Sequence, residues 1–341
     1  GMAASSSSSG MGGGGGMAAS SSSSGMGGGG GGGMAASSSS SSSGTTTNVY
    51  DPNMDGPYTI LELKDEQYTN PATGNLVAMD AFYPSGGPTA GPYPVVVVGH
   101  GFQLPVTQYT NYIKRLATFG YVAITADFPA SLLSQDNIKN AKDLISAINW
   151  AGTKTVLNAD TMKAGMTGHS LGGKLALLAA TMDTRVKASI VLDPVDGGGG
   201  PGGTCTPPAC VDVSVLLPNL AIPTGFLGET TDASGGFQPC APAAQNFLTF
   251  YAGTNAPSFA VTVNGANHMS FIDNVSICGF TCSFCNAATL ANATVNAMGQ
   301  AYVAAFYERY LRGNTAYDTY LTGTEAQMRY VSTNQATIMS K

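Results

Sequence analysis

Residues 163–173 read Lys163-Ala-Gly-Met-Thr-Gly168-His169-Ser170-Leu171-Gly172-Gly173. A short apolar segment, Ala164 to Thr167, runs into Gly-His-Ser-Leu-Gly, a match to G-x-S-x-G. A helix-forming run, Lys174-Leu-Ala-Leu-Leu-Ala-Ala180, follows at once. Strand, tight turn and helix in immediate succession put a serine on a strained corner at the carboxyl edge of a sheet, with its hydroxyl exposed. Gly168 and Gly172 suit such a corner, because a side chain at either would collide across the turn. The five letters alone also occur in ordinary Gly-rich turns. Their context makes Ser170 the candidate nucleophile.

Working outward, Tyr58–Leu63 and Leu76–Tyr83 alternate apolar and polar residues, as half-buried strands do. Pro94-Val-Val-Val-Val-Gly-His100 is apolar throughout, as expected of a strand covered on both faces. Thr107–Phe119 has helical spacing and ends at Gly120; Tyr121–Asp127 reads as a buried strand and Ile138–Trp150 as a helix. Beyond the serine turn, Ala188–Leu192, Ile222–Leu227 and Phe259–Val263 read as strands, and Ala293–Leu311 as the last helix. Strands alternating with helices require crossover connections. The expected architecture is a doubly wound, mostly parallel α/β sheet with helices on both faces.

A serine hydroxyl needs a base, usually a histidine oriented by a carboxylate. The chain has three histidines. His169 sits inside the turn beside the serine and is expected to point elsewhere; His100 directly follows the third strand. His268, just past the last core strand, is left as the candidate base. The negative charge of an acyl-transfer intermediate also needs two aimed N–H donors. Leu171, after the serine, and Phe102, in the loop His100-Gly101-Phe102-Gln103, are the candidates. The acid stays open among Asp193 and Asp196 after one strand and Glu229 and Asp232 after the next. Spacing does not choose between them.

The remaining composition narrows the function. Residues 1–44 are almost entirely Gly, Ser, Ala and Met in imperfect repeats, too polar to bury a core. We expect a flexible tail or linker there, not a signal peptide, with residues 45–341 forming one catalytic domain. Net charge is −6 with 14 Lys and Arg, so clustered cations for nucleic acid are lacking. No stretch approaches the ~20 apolar residues of a membrane span. Six cysteines at 205, 210, 240, 278, 282 and 285 suggest one to three disulfides. Cys282-Ser-Phe-Cys285 has a metal-ligand spacing, but a second pair is missing, so no metal site is expected. Disulfides favour an oxidising, extracytoplasmic compartment.

Several segments resemble the chlorophyllases of the α/β-hydrolase superfamily in order and wording. They are Gly168-His-Ser-Leu-Gly-Gly-Lys174, Leu192-Asp-Pro-Val-Asp-Gly197, Gln238-Pro-Cys-Ala-Pro242 and Asn267-His-Met-Ser-Phe-Ile-Asp-Asn274. The terminal helix, Ala304-Ala-Phe-Tyr-Glu-Arg-Tyr-Leu311, joins them, and the likeness covers most of residues 90 to 313. The resemblance implies an α/β-hydrolase fold, Asp193 as the acid, no cofactor, and a chlorophyll ester as substrate. It also implies a plastid or pigment-membrane setting with peripheral membrane association. Plant chlorophyllases carry Arg where this chain has Leu171. The serine turn and Leu311-Arg-Gly-Asn-Thr-Ala-Tyr317 also resemble bacterial polyester hydrolases and cutinase-like esterases, which makes a general carboxylesterase the alternative. A long hydrophobic ester calls for an apolar mouth. The segments flanking the triad offer Leu104, Pro194, Val195, Met269 and Phe271 as candidate substrate contacts.

Overall fold

Val95 to Val98 divide between two hydrophobic cores. Val95 and Val97 lie in one core with Leu144, Ile148, Leu175 and Leu178, while Val96 and Val98 lie in the other with Ile113, Leu116, Val303 and Tyr307. All four are buried. Each contributes roughly 1.5–3 kcal/mol relative to an exposed side chain, and the two-sided burial explains why the run is apolar rather than alternating.

A computed structural model describes residues 48–130, 135–197, 207–235 and 239–341. The expectation for residues 1–44, and Cys205, lie outside these. Residues Thr47–Lys341 cluster as one unit. Its strands are β1 (Thr59–Thr69), β2 (Leu76–Gly86), β3 (Tyr93–Gly99), β4 (Val122–Ala126), β5 (Ala159–His169), β6 (Val186–Leu192), β7 (Thr224–Gly228), β8 (Ser258–Val263) and β9 (Ala336–Ser340). They form one sheet in the order β1-β2-β4-β3-β5-β6-β7-β8-β9. β4, β3, β5, β6, β7 and β8 run parallel, and β1, β2 and β9 pair antiparallel at the edges.

The helices α1 (Thr110–Thr118), α2 (Asn137–Thr153), α3 (Leu171–Met182), α4 (Phe247–Gly253) and α5 (Asn292–Tyr310) cover both faces. Buried residues of α2, α3 and α4 share the first core; those of α1 and α5 share the second. This is the α/β-hydrolase arrangement. α2 begins where Asp136 accepts the Lys139 N–H at 3.0 Å, satisfying one of the free donors of its first turn.

Several elements depart from the sequence expectation, among them the helix α4 and three strands. β1 continues past Leu63 to Thr69 across a bulge, with Asp65 at φ 56°. Lys64, Asp65, Gln67 and Thr69 are exposed there and Glu66 is half-buried against Lys154, so the run is polar on both faces and shows no apolar alternation. β5 starts at Ala159 rather than Ala164. β9 was not anticipated: Phe259 pairs with Ser340 and Val263 with Ala336, so an outer strand with mostly exposed side chains closes the sheet.

Candidate active site

Ser170 follows β5 with φ 55° and ψ −121°, and α3 starts at the next residue. Packing holds this strained backbone. A Cβ on Gly168 would meet the Gly172 carbonyl, and one on Gly172 the Gly99 carbonyl at the end of β3. The Ser170 N–H donates to the Leu192 carbonyl at 3.0 Å, tying the turn to the end of β6. Asp193 comes next, also at positive φ (41°), its N–H donating to Leu227 at 2.6 Å. Beyond β8, Asn267 caps a short turn, His268–Phe271, through reciprocal bonds with Ser270.

These strand ends bring Ser170, Asp193 and His268 together. His268 Nε2 lies 2.8 Å from Ser170 Oγ, and its Nδ1 lies 2.6 Å from Asp193 Oδ2. A carboxylate only accepts, so Nδ1 carries the proton and Nε2 is free to accept from the serine hydroxyl. Burial raises the Asp193 carboxyl from its ordinary value, and the hydrogen bond and charge of His268 oppose that rise. Ser170 keeps 9% of its surface exposed, His268 3% and Asp193 none.

The three rival carboxyls are engaged otherwise. Asp196 pairs with the buried Lys174 at 3.0 Å and accepts the Val213 and Ser214 N–H groups. Asp232 accepts the backbone N–H of His268 at 2.8 Å and of Asn286 at 2.6 Å. Glu229 is fully buried, accepts the Asp232 N–H through Oε2, and donates its own N–H to Asp193 Oδ1 at 3.4 Å. Burial, and then the charge of Asp193, push its carboxyl up to about 9.

The candidate oxyanion donors flank the serine. Leu171 is the first residue of α3, where the helix dipole favours negative charge. Phe102 is half-buried in the loop after β3, beside Gln103 at φ 54°. Among the described residues, no hydrogen bond engages the backbone N–H of either.

The other two histidines are structural partners. His100 stacks on Phe128 and accepts its N–H at 3.2 Å. His169 does not point away from the site: Nδ1 lies 2.9 Å from the Tyr109 hydroxyl and Nε2 2.8 Å from the His268 carbonyl. A turn residue next to a nucleophile gives no sequence signal for such bonds. Tyr109 read only as part of a helical pattern.

The expected substrate contacts separate by burial. Val195 is half-buried, and Met269 keeps 6% exposed, close to the 7% of Leu171. Leu104 and Pro194 are buried beside the loop and Asp193. Phe271 is a correction. It is wholly buried in the second core, and its carbonyl receives the Tyr112 hydroxyl and the Asn296 amide. A side chain with no free surface belongs to the scaffold beneath His268.

Disulfides join Cys240 to Cys285 and Cys278 to Cys282, and Cys210 is also disulfide-bonded. Cys282 and Cys285 thus belong to different disulfides, which consumes the spacing that resembled a metal pair. The first bridge adjoins Asn286, whose side chain also bonds the Thr231 carbonyl and whose carbonyl receives the Asn267 amide. It therefore fastens the segment that holds Asp232 and His268.

The sequence model of the chlorophyllase family matches residues 53–333. The chain is 29% identical over 205 residues to Chlorophyllase-2 of Arabidopsis thaliana, covering 54% of this chain and 62% of that protein. It is 30% identical over 200 residues to Chlorophyllase-1 of the same plant, covering 54% and 61%. Bis(hydroxyethyl) terephthalate hydrolase of Streptomyces coelicolor is 25% identical over 219 residues, covering 63% and 62%. The chain thus spans about three-fifths of the length of these curated relatives.

Proposed function

Since the chain belongs to the chlorophyllase family, we propose that it is a serine carboxylic-ester hydrolase that cleaves chlorophyll into chlorophyllide and phytol. The observation that carries this reading is His268 bridging Ser170 and Asp193, at 2.8 and 2.6 Å. Ser170 Oγ attacks the ester carbonyl as His268 Nε2 takes its proton. The imidazolium so formed faces the Asp193 carboxylate, which holds the ring and stabilises its charge. The Leu171 and Phe102 N–H groups receive the oxyanion. Collapse returns the proton to the leaving alcohol. Water then enters by the same base and frees the acid.

Residues 45–341 form the catalytic domain in this reading. Among the described residues, no helix is long and apolar enough to cross a membrane. In this reading the enzyme meets pigment-bearing membranes peripherally. The exposed Val275 and Ile277, in a segment without charge from Asn274 to Tyr307, support it. The half-buried Val195 and Phe102 and the exposed edge of Met269 give the substrate apolar contact. Leu104 and Pro194 support that wall from beneath.

A second reading, a general esterase acting on small or polymeric esters, is favoured by the likeness to the terephthalate-ester hydrolase. It uses the same residues. A panel comparing chlorophyll with short p-nitrophenyl esters decides between the two. Turnover of chlorophyll with little of the short esters supports the first; short esters cleaved and chlorophyll untouched supports the second.

A further inference from the structure

One chain of hydrogen bonds runs from the oxyanion loop to the base, through two buried side chains that the mechanism above does not use. The Gly101 N–H donates to the Tyr109 hydroxyl at 2.9 Å. That hydroxyl lies 2.9 Å from His169 Nδ1, and His169 Nε2 lies 2.8 Å from the His268 carbonyl. The ends fix every direction. A carbonyl only accepts, so His169 carries its proton on Nε2; an amide only donates, so the Tyr109 oxygen spends a lone pair on Gly101. The Tyr109 proton then goes to Nδ1.

This pattern requires a neutral His169, and its surroundings keep it neutral. The ring is fully buried, which pushes its pKa well below the ordinary histidine value, and the neighbouring His268 ring pushes the same way. The two imidazoles are 4.8 Å apart, centre to centre. A Cβ on Gly101 would come within 3.0 Å of His169 Nδ1 and 3.1 Å of the Tyr109 oxygen, so the loop rests directly on both.

We propose that Tyr109 and His169 are positioning residues for this reaction, holding the Gly101–Phe102 loop and the His268 backbone at one fixed separation. The role rests on the serine-hydrolase reading given above. The proton acceptor and one oxyanion donor come from loops after β8 and β3, which are not neighbours in the sheet. Their separation must be right when the tetrahedral intermediate forms, and displacing a reacting group by about 1 Å can cost about 10²-fold in rate.

The test measures kcat and KM on p-nitrophenyl butyrate, with Tm, for the wild type, Tyr109→Phe, His169→Leu, His169→Gln and Tyr121→Phe. Tyr121 is equally buried and gives its hydroxyl to Glu308, so its variant loses a comparable bond away from the site. Tyr109→Phe and His169→Leu should each lower kcat by up to about 10²-fold with KM little changed. Combined, they should do little more than the worse single change, since they break one chain. His169→Gln keeps an acceptor and a donor and should recover part of the loss, while Tyr121→Phe keeps its kcat. Should His169→Leu not fold, Tyr109→Phe, which removes a single oxygen, carries the test. Unchanged kcat in Tyr109→Phe, or an equal fall in Tyr121→Phe, overturns the inference. A wild type that hydrolyses no ester, and whose Ser170 resists a fluorophosphonate, overturns the underlying reading as well.

Discussion

Asp232 accepts the backbone N–H of His268 at 2.8 Å, while Asp193 holds the same residue by its ring nitrogen at 2.6 Å. Two acids from adjacent strand ends thus grip one histidine at different atoms. Only the ring contact selects the tautomer. Asp193→Asn should therefore lower kcat by about 10⁴-fold. Asp232→Asn should chiefly destabilise, by about 1–3 kcal/mol, through a mispaired buried N–H. Steady-state kinetics with thermal melts separates the two. A larger kcat loss in Asp232→Asn would move the acid to the end of β7.

That division also shows what the sequence could and could not reveal. The serine turn was legible because strand, glycine and helix signals stand side by side in one short stretch. Elimination among three histidines singles out His268 as the candidate base. Spacing does not choose the candidate acid, because the Leu192 and Gly228 strand ends adjoin the same histidine loop. Asp193 sits at positive φ with its carboxylate against the ring, and the resemblance, not the residue pattern, pointed to it. β9 carries no strand signal in the sequence, because only its inner edge is bonded and most of its side chains face solvent. Phe271 read as pocket because it follows His268, whereas the turn it sits in sends it into the core.

Glu229 contributes to the pH dependence of stability. Its folded carboxyl is pushed from the ordinary glutamate value of 4.5 up to about 9 by burial and by the charge of Asp193. Between these values the unfolded chain has lost the proton and the folded one keeps it. Stability therefore falls as pH rises through this window, by up to about 1.4 kcal/mol per unit for one fully unmatched proton. Below the lower value the group contributes nothing either way. Glu229→Gln should raise Tm at pH 8 more than at pH 5. An equal gain at both pH values would contradict the neutral, buried carboxyl.

Lys174 and Asp196 form an ion pair just below the serine turn, with Lys174 only 1% exposed. Removing one partner strands the other charge in the interior. Lys174→Met should cost about 3–5 kcal/mol in denaturant unfolding. Lys174→Met with Asp196→Asn should recover part of that, because the stranded charge is gone. No recovery in the double variant would mean that Lys174 matters for its packing rather than its charge.

The Cys240–Cys285 bridge closes a loop of sequence separation 45. A loop of that length contributes roughly 4 kcal/mol in the chain-entropy description. Because the bridge adjoins Asn286, and Asn286 clamps Asp232 and Asn267, Cys240→Ser with Cys285→Ser should lower kcat as well as Tm. The loss should shrink at lower assay temperature, where the clamp holds without the bridge. A lowered Tm with unaltered kcat at every temperature would confine the bridge to stability.

The most direct test of the central claim is the kcat of Ser170→Ala, His268→Ala and the double variant on one short p-nitrophenyl ester. Nucleophile and base act as a unit, so each single change should cost about 10⁶-fold and the double variant little more. Losses that multiply in the double variant would contradict the account, because Ser170 and His268 would then be acting independently.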